Sequence, residues 1–167
     1  MTTSPTIHAS AVLFGCHGVL IRGPSGCGKS RLAWLLLRAA SEGTQGFARL
    51  IGDDRVHIDP AHGRLLIRPA RALEGRIEIR GLGIVRLAFE PVATAHLVVD
   101  LGESDAPRLP DKAQAETTIA GIRLARLAVA PGSDPFPPVR GWLEARNTTG
   151  RPGSGAQVTM NCNAPLS

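Results

Sequence analysis

One short glycine-rich segment, residues 23–30, constrains the fold of this chain more than any other part of the sequence. It reads GPSGCGKS and fits the Walker A pattern G-x-x-x-x-G-K-[ST]. Residues 18–21 before it are apolar and rich in β-branched side chains, and residues 31–40 after it are mostly good helix formers. The pattern alone is short enough to arise by chance, but the order strand, loop, helix is the context in which it binds phosphate.

A loop of this type binds phosphate mainly through its backbone. Its glycines let successive N–H groups point toward phosphate oxygens, and the following helix N-terminus adds a partial positive charge. Lys29 is expected to reach the β- and γ-phosphates, and Ser30 is expected to coordinate Mg²⁺. We therefore predict a site for a nucleoside triphosphate. The predicted binding residues are Gly23, Pro24, Ser25, Gly26, Cys27, Gly28, Lys29 and Ser30.

The composition is that of an ordinary globular protein. A chain of 167 residues with 43% hydrophobic and 20% charged residues can bury a core without disulfides. The three cysteines have no paired spacing, and no leader or membrane span is recognisable, so we expect reduced thiols and a cytoplasmic protein. The net charge is +5, but aromatic residues make up only 4%, which argues against binding of nucleic acid through base stacking.

Two acidic positions follow apolar stretches that read as strands. Asp53 and Asp54 come after residues 47–52, one helix beyond the glycine-rich loop. In a parallel nucleotide-binding sheet this is where acids reach the metal and the terminal phosphate, although a pair of aspartates also caps turns. Asp100, which follows residues 95–99, is an alternative candidate for the aspartate that holds Mg²⁺.

The remaining pattern predicts an α/β fold, in which a mixed β-sheet is flanked by helices and a β-hairpin precedes the phosphate-binding loop. Further hairpins are expected near residues 56–69 and 117–129, and a charged strand over residues 76–80 ends at a glycine bend. One or two helical turns are expected over residues 139–145. We predict a catalytic domain over residues 1–145 and a disordered tail over residues 146–167, which lack periodicity.

Four blocks in this order make the chain resemble the catalytic domain of HPr kinase/phosphorylase over about residues 6–145. The resemblance is to the short form that consists of the C-terminal catalytic domain only. The most specific block is the sequence E-I-R-G-L-G-I at residues 78–84, which a generic phosphate-loop protein has no reason to carry. The other blocks are His8 before the hairpin, the glycine-rich loop, and the pair Asp53 and Asp54.

The resemblance implies ATP-dependent phosphorylation of a serine on the phosphocarrier protein HPr, with phosphorolysis by inorganic phosphate as the reverse reaction. It implies that Asp54 accepts the serine proton and returns it in the reverse reaction, with His8 and Lys29 also in the active site. Ser30, Glu78 and Asp53 would hold Mg²⁺. A homo-oligomer is also implied, whereas no nucleic acid or membrane partner is expected.

Two departures from the family pattern keep other hypotheses open. Arg31 stands where the family usually has an acidic residue, and residues 131–134 read P-G-S-D where the family has P-G-R-N. The missing arginine and Arg31 favour a non-catalytic nucleotide-binding sensor. A kinase or ATPase for a small substrate is the other alternative, although such an enzyme would not need the E-I-R-G-L-G block.

Overall fold

A computed structural model describes residues 5–42 and 46–148, which form eleven strands, two α-helices and one short 3-10 helix. The apolar residues before the glycine-rich loop form a central strand, and the helix formers after it form the longer α-helix. The strands are β1 Thr6–His8, β2 Ser10–Phe14, β3 His17–Arg22, β4 Ala48–Gly52, β5 Arg55–Ala61, β6 Arg64–Pro69, β7 Arg76–Ile79, β8 Gly83–Arg86, β9 Ala93–Leu101, β10 Glu116–Ile119 and β11 Ile122–Val129. The helices are α1 Lys29–Glu42, α2 Phe136–Thr148 and the 3-10 helix Arg71–Leu73.

Nine of these strands form one mixed sheet with β9 at its branch point. The order is β1-β5-β6-β9-β3-β2-β4, and β11, paired with β10, also joins β9. Along one edge, β9 pairs antiparallel with β6 near its start and parallel with β11 further on. Its other edge pairs parallel with β3. The sheet is mixed because these connections bring parallel and antiparallel neighbours to the same strand.

Strand β2 lies between β3 and β4 and is antiparallel to both. Because two successive reversals restore the direction, β3 and β4 point the same way, although they are not neighbours. The glycine-rich loop after β3 and the acidic pair after β4 therefore leave the sheet at the same edge. The predicted hairpin before the loop is confirmed as β2 and β3, which join through Gly15 at φ 60°.

Two apolar clusters cover the two faces of the sheet. The first combines strand residues with both helices, including Leu32 and Leu36 of α1 and Val139 and Leu143 of α2. The second is built from β1, β5, β6 and neighbouring strands, with Val56 and other fully buried side chains, and no helix residue belongs to it in the described ranges. The mixed α/β class is confirmed, and among the described residues both helices pack against the first cluster.

The charged strand predicted over residues 76–80 forms a separate two-stranded sheet. Strand β7 pairs antiparallel with β8, and the glycines at 81 and 83, with φ of 84° and 100°, belong to the turn and the start of β8. Ile77 is buried in the cluster that contains α1, whereas Glu78 faces outward. The expected alternation of apolar and charged faces is therefore present.

The last helix is longer than its sequence pattern predicted. It begins at Phe136 and ends at Thr148, three residues beyond the predicted domain boundary at 145. The rest of the predicted tail, residues 149–167, lies outside the described residues, so the disorder of that tail stays a prediction. Neither α-helix in the described ranges has the length and apolar character that crossing a membrane requires.

Candidate active site

The glycine-rich loop makes a tight connection between Arg22, where β3 ends, and Lys29, where α1 begins. Gly23, Gly26 and Gly28 have φ values of 146°, 79° and 99°, which side chains of L-residues rarely adopt. A Cβ atom on Gly23 would also lie 2.7 Å from the Leu101 carbonyl oxygen and 2.7 Å from Cys27 Sγ. The loop therefore needs glycine at its first position for both conformation and space.

Lys29 is buried at the base of this loop, with 6% of its surface exposed. Its Nζ atom donates hydrogen bonds to the carbonyl oxygens of Gly23 and Pro24, both at 2.9 Å. These bonds satisfy two of the three donors of the ammonium group while it is inside the protein. The positive charge is therefore held within the curve of the loop, at the place where the sequence predicts phosphate.

Asp53 is the centre of a polar network beside the loop, and only 4% of its surface is exposed. Ser10 Oγ donates to Oδ1 at 2.5 Å, and Ser30 Oγ lies 2.8 Å from Oδ1 and 3.0 Å from Oδ2. The backbone N–H of Glu78 donates to Oδ2 at 3.2 Å. One buried carboxylate therefore connects β2, the start of α1 and the β7–β8 hairpin.

Asp54 points away from this network and meets His8. The distance from His8 Nε2 to Asp54 Oδ1 is 3.3 Å, and 41% and 64% of the two side chains are exposed. The pairing follows from the sheet, because His8 lies opposite Arg55 in the β1–β5 ladder. Asp54 itself has φ 64°, a left-handed conformation, and its carbonyl oxygen accepts a hydrogen bond from Ala9 N at 3.3 Å.

The β7–β8 hairpin brings two charged residues to the same region. The backbone N–H of Glu78 donates to the Asp53 carboxylate, and the Glu78 side chain is exposed. Arg80 Nη2 would lie 3.9 Å from a Cβ atom built on Gly26, so its guanidinium group lies beside the glycine-rich loop. The E-I-R-G-L-G block therefore adjoins the loop, although it belongs to a separate sheet.

Asp100, the alternative candidate for an acid that holds Mg²⁺, is buried, and both of its carboxylate oxygens accept hydrogen bonds from arginines. Arg22 donates to its two oxygens at 2.7 and 2.9 Å, and Arg126 Nε donates to Oδ2 at 2.7 Å. Burial alone would raise its pKa, but the hydrogen bonds and charges of Arg22 and Arg126 outweigh this and lower the pKa below its usual value. The carboxylate is paired with arginines, in contrast to Asp53.

The donor atoms near the loop fit Mg²⁺ better than a softer metal. Among the described residues, no group of three or more His, Cys, Asp or Glu side chains could hold a metal ion by itself. Mg²⁺, however, is usually bound by one or two carboxylates together with phosphate oxygens and water. Ser30 Oγ and the Asp53 carboxylate, which already touch, are oxygen donors of the required kind.

The structure brings most of the predicted site residues to one edge of the sheet. Lys29, Ser30 and Asp53 surround the loop, and His8 and Asp54 form a pair next to Asp53. Ser10 was not among the predicted site residues, because in the sequence it looks like any small residue in an apolar strand. Its complete burial beside Asp53 gives it a role that only the folded chain reveals.

This chain is a mixed α/β protein in which a glycine-rich loop connects a central strand to a helix. A family model described as the HPr Serine kinase C-terminal domain matches residues 1–130. The chain belongs to this family, as the resemblance in the sequence predicted.

Individual relatives agree with the family match. The chain is 40% identical over 79 residues to the HPr kinase/phosphorylase of Clostridium beijerinckii, covering 47% of this chain and 24% of the relative. It is 30% identical over 123 residues to that of Streptococcus pyogenes, covering 67% of this chain and 37% of the relative. The chain thus spans well under two-thirds of the length of these relatives.

A solved structure supports the fold. The HPr(Ser) kinase/phosphatase of Coxiella burnetii is similar with a TM-score of 0.69 and 21% sequence identity. The similarity covers 87% of this chain and 92% of the solved chain.

Proposed function

We propose that this chain transfers the γ-phosphoryl group of ATP to a serine of an HPr-like phosphocarrier protein. The observation that carries the proposal is the common position of two groups at one sheet edge. The glycine-rich loop with its buried lysine follows β3, and Asp54, which pairs with His8 of β1, follows β4 at the same edge. Both the names of the relatives and the E-I-R-G-L-G block at the site support a protein substrate.

In this proposal Asp54 is the general base. The serine Oγ attacks the γ-phosphorus, the bond to the β,γ-bridging oxygen breaks, and the serine proton passes to the Asp54 carboxylate. The products are phosphoserine and ADP. With 64% of its side chain exposed, Asp54 is accessible to a serine on the surface of another protein. His8, 3.3 Å away, orients the carboxylate.

The glycine-rich loop and Lys29 would bind the triphosphate. Lys29 gives up its bonds to the carbonyl oxygens of Gly23 and Pro24 in favour of phosphate oxygens. Ser30, Asp53 and the side chain of Glu78 would hold Mg²⁺, which supplies positive charge to the terminal phosphates when bound. Asp53 positions the Ser30 hydroxyl by accepting its hydrogen bond.

The same site can run the reaction in reverse with inorganic phosphate. An oxygen of hydrogen phosphate attacks the phosphoserine phosphorus as the bond to the serine Oγ breaks, and Asp54 passes the proton that this phosphate gives up to the serine Oγ. Pyrophosphate is the second product. Because residues 131–134 lack the arginine of the family block, we expect this reverse activity to be weaker than the forward transfer.

A transfer assay with purified HPr tests the proposal. The full chain is incubated with ATP, Mg²⁺ and HPr, and phosphoserine is detected by mass spectrometry, with and without excess inorganic phosphate. Transfer to a single serine supports the proposal, and pyrophosphate release in the second arm supports phosphorolysis. Nucleotide binding without transfer would contradict it and favour the sensor, while ATP turnover without HPr would favour a small substrate.

We also propose that the active form is a homo-oligomer, as the family resemblance implies. Light scattering coupled to size-exclusion chromatography measures this directly at concentrations used in the transfer assay. A monomer that retains full transfer activity would contradict this part of the proposal.

A further inference from the structure

Asp100 and two arginines form a compact ionic cluster behind the glycine-rich loop, which we call the Asp100 clamp. Asp100 lies near the end of β9 with 5% of its surface exposed, and both of its oxygens accept hydrogen bonds. Arg22 approaches with two nitrogens, and Arg126 of β11 approaches with Nε. Glu103 Oε2, 3.7 Å from Arg126 Nη2, partly balances the second positive charge.

The clamp is connected directly to the loop. Arg22 pairs with Asp100 across the parallel β3–β9 ladder and is the residue immediately before Gly23. Gly102, the residue after β9, also lies close to the loop, since a Cβ atom added to it would be 3.3 Å from Pro24 Cδ. The end of β9 therefore supports the backbone from which the loop begins.

Asp100 stands where a parallel nucleotide-binding sheet places functional acids, at the end of the strand beside the loop strand. Its oxygens are nevertheless used by three charge-assisted hydrogen bonds, which are among the strongest in proteins. The carboxylate is therefore paired with two arginine side chains of the protein, Arg22 and Arg126. This geometry suits a group that fixes the backbone better than one that binds a metal.

We propose that Asp100 is a positioning residue for nucleotide binding, which fixes Arg22 and thereby the first residue of the glycine-rich loop. The inference rests on the proposed function, because it assumes that the loop binds a nucleotide. A loop held in its binding conformation loses less conformational freedom when the ligand arrives, so the clamp raises affinity without touching the nucleotide.

Nucleotide affinity of clamp variants tests the inference. The probe is a fluorescent N-methylanthraniloyl derivative of ADP, titrated with Mg²⁺ and again with EDTA, beside a thermal unfolding scan of each variant. Asp100→Asn and Arg22→Gln should each raise Kd on the order of tenfold, about the value of one charge-assisted hydrogen bond. The increase should be the same with and without Mg²⁺.

A double-mutant cycle shows whether Asp100 acts through Arg22. Independent effects would multiply to about 100-fold in the double variant, whereas a shared role predicts a Kd close to that of either single variant. Arg126→Gln should have a smaller effect, since the two bonds from Arg22 remain. If Asp100→Asn does not fold, Arg22→Gln carries the test, because Asp100 keeps its bond to Arg126 in that variant.

Asp59→Asn is the matched control, because Asp59 pairs with Arg68 at 3.3 Å across the β5–β6 hairpin. It should leave Kd unchanged. A lower melting temperature of the clamp variants with unchanged Kd would overturn the inference, and so would a rise in Kd that appears only with Mg²⁺. A wild-type chain that binds no nucleotide would contradict the proposed function as well, so the two failures are distinguishable.

Discussion

Asp54 holds its carboxylate beside His8 by means of a backbone conformation that few residues adopt. Its φ of 64° lies in the left-handed region, which costs most side chains about 1 kcal/mol or more, although Asp and Asn tolerate it best. Arg55 N donates to the Asp53 carbonyl oxygen at 2.8 Å across the same turn. The turn therefore directs two consecutive carboxylates to different partners, Asp53 inward and Asp54 toward the surface.

Replacing Asp54 by Asn should abolish phosphoryl transfer while leaving nucleotide binding intact. Asn tolerates the left-handed conformation and keeps the size of the side chain, but it cannot accept the serine proton. We expect a loss of at least about 100-fold in kcat, the lower range for removal of a general base. Initial rates with HPr and a nucleotide titration on the same preparation measure the two effects. Equal activity of the Asp54→Asn variant would exclude Asp54 as the base.

Asp53→Ala should destabilise the fold as well as the site. The change leaves the buried Ser10 hydroxyl without its acceptor, together with the partly buried Ser30 hydroxyl and Glu78 N–H. We expect a loss of about 2–4 kcal/mol in the free energy of unfolding, as for other buried polar groups that lose their partners. Urea denaturation measures it, with Asp59→Asn as the control. A stability equal to that of the wild type would mean that water replaces the carboxylate at no cost.

At the scale of elements, local patterns predicted those units whose partners are close in sequence. The hairpin before the loop, α1 and the β10–β11 hairpin lie within a few residues of their predicted limits, since alternation and turn glycines define them locally. The insertion of β2 between β3 and β4 was not predicted, because nothing in an apolar strand specifies which edge it pairs with. The full length of α2 was also missed, since Pro137 and Pro138 obscure its first turn.

Two glycine substitutions should have opposite effects on the elements that contain them. Gly141 lies within α2 with open space around its Cβ position, so Gly141→Ala should stabilise the protein by roughly 0.5–1 kcal/mol through helix propensity. Gly23→Ala should disrupt the glycine-rich loop, because the added Cβ meets the Leu101 carbonyl oxygen at 2.7 Å. Thermal unfolding and nucleotide titration of both variants measure this contrast. The prediction is wrong if the Gly23→Ala variant binds nucleotide as tightly as the Gly141→Ala variant.

At the scale of the whole molecule, the candidate site depends on contacts between distant segments. The glycine-rich loop is contiguous and was readable from the sequence alone. The His8–Asp54 pair was not, because it forms only when β1 pairs with β5. The position of Asp54 after an apolar strand was readable, but His8 and the role of Asp54 as the base entered the prediction through family resemblance. The loop residues could be found by physical reasoning from pattern, whereas Ser10 and the Asp100 clamp required the register of the assembled sheet.

A second group of distant contacts joins the sheet to α2 at the opposite edge from the loop. The ring of His17 lies 5.2 Å from that of His96 and 5.8 Å from that of Trp142. Burial lowers the pKa of His17, assisted by the nearby charges of His96 and Arg146. Burial also lowers the pKa of His96 and outweighs its hydrogen bond with the Thr94 backbone, while Arg64 adds to the lowering.

These two histidines should make the whole fold sensitive to mild acid. Their pKa in the folded chain lies below the value of 6.5 for an unfolded chain, so the unfolded chain binds more protons in the window just below 6.5. The free energy of unfolding should therefore fall as the pH decreases through about 6.5, and these groups should have no effect well above it. Melting temperatures between pH 5 and pH 8 measure the trend.

His96→Asn should reduce this dependence on pH, since it removes one of the two groups and keeps an acceptor near Gly18 N. His62→Asn is the matched control, because His62 is exposed in a turn at φ 50°, which Asn tolerates. An identical pH profile for His96→Asn and the wild type would contradict the assignment of this sensitivity to the histidine pair.

The position of β2 between β3 and β4 has a consequence for how this chain can change during evolution. One extra residue inside β2 would reverse which side chains face each apolar cluster and would carry Ser10 away from Asp53. The same addition at the Gly15 turn would lengthen a remote loop and leave the ladder in place. In a library of single-residue insertions selected for activity, survivors should accumulate at this turn and be absent from the strand.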